Sequence, residues 1–109
     1  TNYAVYHNAY QYFEQQFGLQ HDMIILRDPE VQPGIRETIQ LRSQVNDQRP
    51  SCLLLEFDSS SDLVSTVLNG HELKQITVDL LGSNVNSSGN AYSEFMANLA
   101  DDFYECLYE

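Results

Sequence analysis

The sequence predicts an α/β fold: a three-layer, doubly wound sheet of about four parallel strands with flanking helices. Two observations carry this. Four short apolar runs alternate with four segments of helical spacing along the 109 residues, the order that gives a parallel sheet. The third run, Cys52-Leu53-Leu54-Leu55-Glu56-Phe57, is nearly continuous in apolar residues, as a strand buried on both faces must be. Right-handed crossovers then bring every strand's carboxyl end to one edge of the sheet.

The elements follow in order. Tyr3-Ala4-Val5-Tyr6-His7 is the first strand, and the segment from Asn8 to Gly18 has helical spacing and ends on a glycine, a common helix stop. His21-Asp22-Met23-Ile24-Ile25-Leu26 is a second, short strand. Asp28-Pro29-Glu30-Val31-Gln32-Pro33-Gly34 has turn chemistry, with two prolines and a glycine. Ile35 to Val45 carries Ile35, Ile39, Leu41 and Val45 as an imperfect helical stripe. After the third strand, Ser59, Ser60 and Ser61 offer N-cap hydroxyls to a helix that runs through Leu63, Val64, Val67 and Leu68 to Gly70. Gln75-Ile76-Thr77-Val78-Asp79 is the fourth strand, and the polar stretch from Gly82 to Asn90 is expected to be a flexible loop. The last helix, Ala91 to Leu107, sets Phe95, Leu99, Phe103 and Leu107 four residues apart on one face. No internal repeat and no linker divides the chain, so a single domain over residues 1–109 is expected.

Composition narrows the function classes. Five Lys and Arg stand against sixteen Asp and Glu, a net charge of −11. That balance argues against nucleic acid, whose phosphates need neutralising cations, and against an anionic membrane surface. It suits cations, although most of these carboxylates are expected to be solvated surface. No run approaches the roughly 18 apolar residues of a membrane span. No charged segment leads into an apolar one, so any signal peptide is expected to have been removed; a start at Thr1, almost against a strand, suggests a piece of a longer protein. Cys52 opens the third strand and Cys106 ends the last helix. A bridge between them would close a loop of about 55 residues, on the order of 4 kcal/mol by chain entropy, and would imply an oxidising compartment such as a periplasm. Two buried free thiols are the alternative at this point.

The carboxyl edge collects His7, the Arg27-Asp28 turn, Glu56-Phe57-Asp58 and Asp79. Ligands of open α/β sheets bind at that edge, and a neutral imidazole there is a natural metal ligand or general base. Imidazole with carboxylate suits zinc, or manganese where carboxylates dominate. His7 and Asp79 are the two good candidates; a zinc site normally needs a third protein ligand. The alternatives are a core histidine held by a hydrogen bond and a turn carboxylate. His21 and His71 fall at the opposite ends of their elements and are expected at the surface. Enzyme signatures are weak: the serines after the third strand lack GxSxG, no phosphate-cradling glycine pattern occurs, and Glu56 with Asp58 reads better as two carboxylates at a strand end and helix start than as an acid–base pair.

Four motifs, in order across nearly the whole chain, carry a family resemblance. They are Val5-Tyr6-His7-Asn8-Ala9-Tyr10 leading to Tyr12-Phe13-Glu14 and Phe17-Gly18-Leu19; Asp28 to Gly34; Val78-Asp79-Leu80-Leu81-Gly82; and Tyr92-Ser93-Glu94-Phe95-Met96, followed by Leu99 and Cys106-Leu107. In these the chain resembles the C-terminal lobe of ZnuA-like periplasmic zinc-binding proteins, of the metal-specific solute-binding family that feeds ABC importers. The resemblance implies one lobe of a bilobal protein, located in the periplasm, that binds Zn2+ (Mn2+ less favoured) without catalysis. It implies His7 as a zinc ligand, Asp79 at a position that supplies a carboxylate in many relatives, and a Cys52–Cys106 disulfide. The implied partners are the zinc ion, an ABC permease and an N-terminal lobe that carries the other histidines. Asn8 stands where the family has aspartate after the ligand histidine, Leu80 where its D-P-L-G turn has proline, and Phe57 where proline usually follows the glutamate. These departures motivate an alternative, a degenerate lobe that acts as a non-metal protein-interaction module.

Overall fold

A computed structural model of the chain describes residues 2–28, 31–79 and 90–108. Within them the order is β1 (Tyr3–Val5), α1 (Gln11–Phe17), β2 (Met23–Ile24), α2 (Ile35–Gln48), β3 (Cys52–Glu56), α3 (Ser61–Leu68), β4 (Lys74–Val78) and α4 (Ala91–Tyr108). The strands form one parallel sheet in the order β2-β1-β3-β4, the α/β class the alternation predicts. The loop expected over 82–90 lies, apart from Asn90, outside the described residues, as do Pro29 and Glu30 of the turn. No described helix is long and apolar enough to cross a membrane.

Strand alternation builds the layers. Tyr3, Val5, Cys52, Leu54, Ile76 and Val78 point to one face and pack with Tyr10 and Phe13 near α1 and Leu99, Phe103 and Cys106 of α4. Ala4, Leu53 and Met23 point to the other face, against Leu41 and Val45 of α2 and Val64, Val67 and Leu68 of α3. The winding therefore reverses between β1 and β3: β1 leads through α1 to β2 on one side, while α2 crosses back on the opposite face to deliver β3 on the other. This reversal is the topological switch point, where ligands of such sheets bind at the strand carboxyl ends.

Several local expectations need correction. In α2 only Leu41 and Val45 are buried; Ile35 and Ile39 are 83% and 60% exposed. Leu41 lies two residues past Ile39, about 200° around the helix, so the four residues fall on two faces rather than one stripe. The helix after β1 starts at Gln11 rather than Asn8 because Ala9 N–H is turned back onto the His7 carbonyl at 3.0 Å. The left-handed C-cap of α3 is Asn69, one residue before Gly70, a conformation asparagine tolerates. Gly18 does cap α1 at φ 66°, and the Ser60 hydroxyl accepts the Leu63 N–H at the start of α3. Cys52 and Cys106 are joined, with 5.5 Å between their Cα atoms, so α4 is tied covalently to the sheet.

Candidate metal-binding site

His7 follows a strand end held from both sides. Beyond β1, Tyr6 donates its N–H to the Leu54 carbonyl at 2.9 Å, and its own carbonyl accepts from Leu26 at 2.7 Å. The Tyr6 hydroxyl accepts the Ser60 N–H at 3.1 Å, fastening this end to the α3 cap. Glu56 closes β3 equally firmly: its N–H donates to Ser59 Oγ at 2.9 Å, and its carbonyl accepts the Ser59 N–H at 3.0 Å.

The two ends meet. His7 Nδ1 lies 2.6 Å from Glu56 Oε2, with the side chains 27% and 13% exposed. Sequence reasoning placed Glu56 on this edge but missed the pairing. The signal is the register: Tyr3 opposes Cys52 and Val5 opposes Leu54, so the same offset carried two residues further sets His7 opposite Glu56. The contact occupies the switch point itself. A carboxylate accepting from Nδ1–H fixes the tautomer that leaves Nε2 with a lone pair. Glu56 is thereby taken from the acid–base pair with Asp58, whose side chain is exposed.

Asp79 follows β4, on the far side of β3 from His7. It lines a cavity of about 260 Å³ with Phe57, Thr77, Phe95, Asn98, Asp101 and Asp102, which neither His7 nor Glu56 lines. His7 and Asp79 thus share the edge without sharing a cavity, two strand positions apart, or roughly 10 Å at ordinary strand spacing. No group of three or more His, Cys, Asp or Glu gathers to hold a metal among the described residues. The corner around Asp79 is strongly acidic: burial, then Glu105, Asp101 and Asp79, push the Asp102 carboxyl above its ordinary range, repulsion that a cation would relieve.

Two buried polar atoms lie next to His7 in sequence without a hydrogen-bond partner among the described residues, Asn8 Oδ1 and Tyr10 Oη. Burial, then the charges of Glu56, Asp102 and Glu14, raise the Tyr10 phenol far above its ordinary value.

The other histidines sit elsewhere. His71 is exposed after α3, as expected. His21 is a correction: its side chain is only 17% exposed, and Nδ1 and the backbone N–H both bind Glu14, each at 2.9 Å. Glu14 is 4% exposed and also accepts from the Tyr3 hydroxyl. Nothing in the local pattern of α1 marked this carboxylate as buried; a charged side chain goes inside only when its partners follow it, and those partners come from β1 and the approach to β2.

Sequence comparison decides the family. The family model for ZnuA, the periplasmic zinc-uptake complex component A, matches residues 1–106. The chain belongs to the ZnuA family. Two ZnuA relatives, described as high-affinity zinc uptake system proteins, come from Yersinia pestis, 31% identical over 105 residues, and Brucella abortus, 30% identical over the same length. Each alignment covers 96% of this chain but only 33% and 31% of the relative, so the chain spans about a third of the length of the ZnuA proteins it matches. Among solved structures, the solute-binding protein FpvC of Pseudomonas aeruginosa, in complex with Mn2+, superposes with TM-score 0.75 at 22% identity, over 97% of this chain and 39% of that one. AdcAII of Streptococcus pneumoniae gives TM-score 0.68 at 22% identity, over 98% and 40%. At that identity the structures establish the shared fold.

Proposed function

We propose that this chain is the C-terminal metal-binding lobe of a periplasmic solute-binding protein that delivers zinc to an ABC permease, binding its cargo without catalysis. The observation that carries the reading is the His7–Glu56 contact at the switch point, 2.6 Å long, which leaves Nε2 as the ring nitrogen turned to a ligand. His7 is the lobe's principal zinc ligand, and Asp79 is its carboxylate, reached from across β3. An N-terminal lobe supplies the remaining ligands; this accords with a chain one third the length of its relatives and with two local ligands where a zinc site needs more. An imidazole in the set favours zinc over manganese, and the Cys52–Cys106 bond suits an oxidising compartment. Family membership weighs against the non-metal interaction module.

The test is a zinc titration against a competing chelator on the full-length, two-lobed protein beside His7→Ala. Loss of the imidazole is expected to weaken binding roughly a hundredfold or more, above what loss of a supporting residue costs. Unchanged affinity would remove His7 from the ligand set, and the reading with it.

A further inference from the structure

Tyr10 stands three residues after His7, at the N-cap position of α1, with no side-chain cap bond. It is 2% exposed, and its hydroxyl has no hydrogen-bond partner among the described residues. A buried hydroxyl without a partner carries an uncompensated desolvation penalty, which phenylalanine of the same shape would avoid. The ring is held edge-on against Phe103, with 5.7 Å between centroids. Tyr10 packs in the same layer as Cys52 and Leu54, and Glu56, two residues past Leu54 in β3, falls on that face of the sheet by strand alternation; the charges of Glu56 and Asp102 both act on the hydroxyl. Glu56 belongs to the His7 pair, and Asp102 lines the Asp79 cavity. A donor without an acceptor is therefore fixed in the fields of carboxylates from both halves of the edge.

We propose that Tyr10 is a positioning residue of the metal site, whose hydroxyl donates to the Glu56 carboxylate when a divalent cation sits on His7. The inference rests on the zinc-binding reading above. With Nε2 engaged, His7 would be a stronger donor at Nδ1–H and would hold Glu56, already 2.6 Å away, more firmly in place. A carboxylate has about four acceptor sites, so a second donor can hold it in that orientation, and the bonds of a phenol–carboxylate–imidazole chain reinforce one another. The unmade hydrogen bond of Tyr10 is then stability given up at a functional site.

The experiment is a double-mutant cycle on the full-length protein. Zinc affinity is measured by chelator competition for the wild type, Tyr10→Phe, Glu56→Ala and the double variant, together with each metal-free melting temperature. Tyr10→Phe is expected to weaken zinc binding about tenfold while leaving the metal-free melting temperature unchanged or higher, a divergence that a purely structural role would not produce. In the Glu56→Ala background the same change is expected to alter affinity by less than about twofold, because its acceptor is gone. Equal weakening in both backgrounds, or a lowered metal-free melting temperature, would overturn the proposal. Unaltered affinity in Tyr10→Phe, with binding lost in His7→Ala, would overturn it and leave the zinc reading standing; binding that survives His7→Ala would remove both.

Discussion

Reduction of the Cys52–Cys106 bond is expected to lower the stability of this lobe by about 4 kcal/mol and its melting temperature by on the order of 15 °C. The cysteines lie 54 residues apart, so the bond closes a loop that holds α3, β4 and nearly all of α4. Both residues are buried, at 0% and 1% exposure, so on reduction the two sulfurs need only move apart to van der Waals distance within an otherwise unchanged core. The loss therefore falls mainly on the unfolded chain, which regains the freedom of a long loop. Calorimetry with and without reductant reads the effect, and a shift of only a degree or two would mean that α4 is held by packing alone.

Phe103→Ala should cost about 3–5 kcal/mol in urea denaturation, the usual loss for deleting a buried aromatic ring. Phe103 is 2% exposed and sits at the centre of an aromatic cluster, with ring centroids 4.7 Å from Phe13, 5.5 Å from Tyr3 and 5.7 Å from Tyr10. Edge-on and tilted pairs of this kind add to the stability that burial gives. Rigid neighbours drawn from α1 and β1 cannot easily collapse into the space, which puts the expected value toward the upper end. Phe103→Leu keeps most of the volume and should cost much less. A loss below about 1 kcal/mol for the alanine variant would show that the α4 layer repacks freely, and with it the wall that holds Tyr10.

The fold was legible because binary pattern and element order both mark a parallel α/β sheet. Alternating apolar residues in β1 and β3 feed two layers of helices, and glycine and serine mark helix ends at Gly18 and Ser60. Strand order was not legible. It depends on which crossover runs over which face, and no single segment records that choice. His7 and Asp79 were found as strand-end residues, whereas the Glu56 partner of His7 required the register between β1 and β3. Glu14 and His21 escaped for a related reason: a buried charge is decided by partners distant in sequence, and a local pattern counts it as surface. The stripe in α2 failed through angle alone, since Ile35 and Ile39 look periodic with Leu41 and Val45 until the turn per residue is summed.

In the proposed site His7, held through Nδ1 by Glu56, offers Nε2 to zinc at the switch point. Nitrogen NMR of isotope-labelled histidine in the full-length protein, recorded through a zinc titration, tests it most directly. The Nε2 resonance of His7 is expected to move to the metal-bound position while Nδ1 stays protonated against Glu56. A His7 signal unmoved at saturating zinc, or zinc on Nδ1 with the Glu56 contact broken, would contradict it.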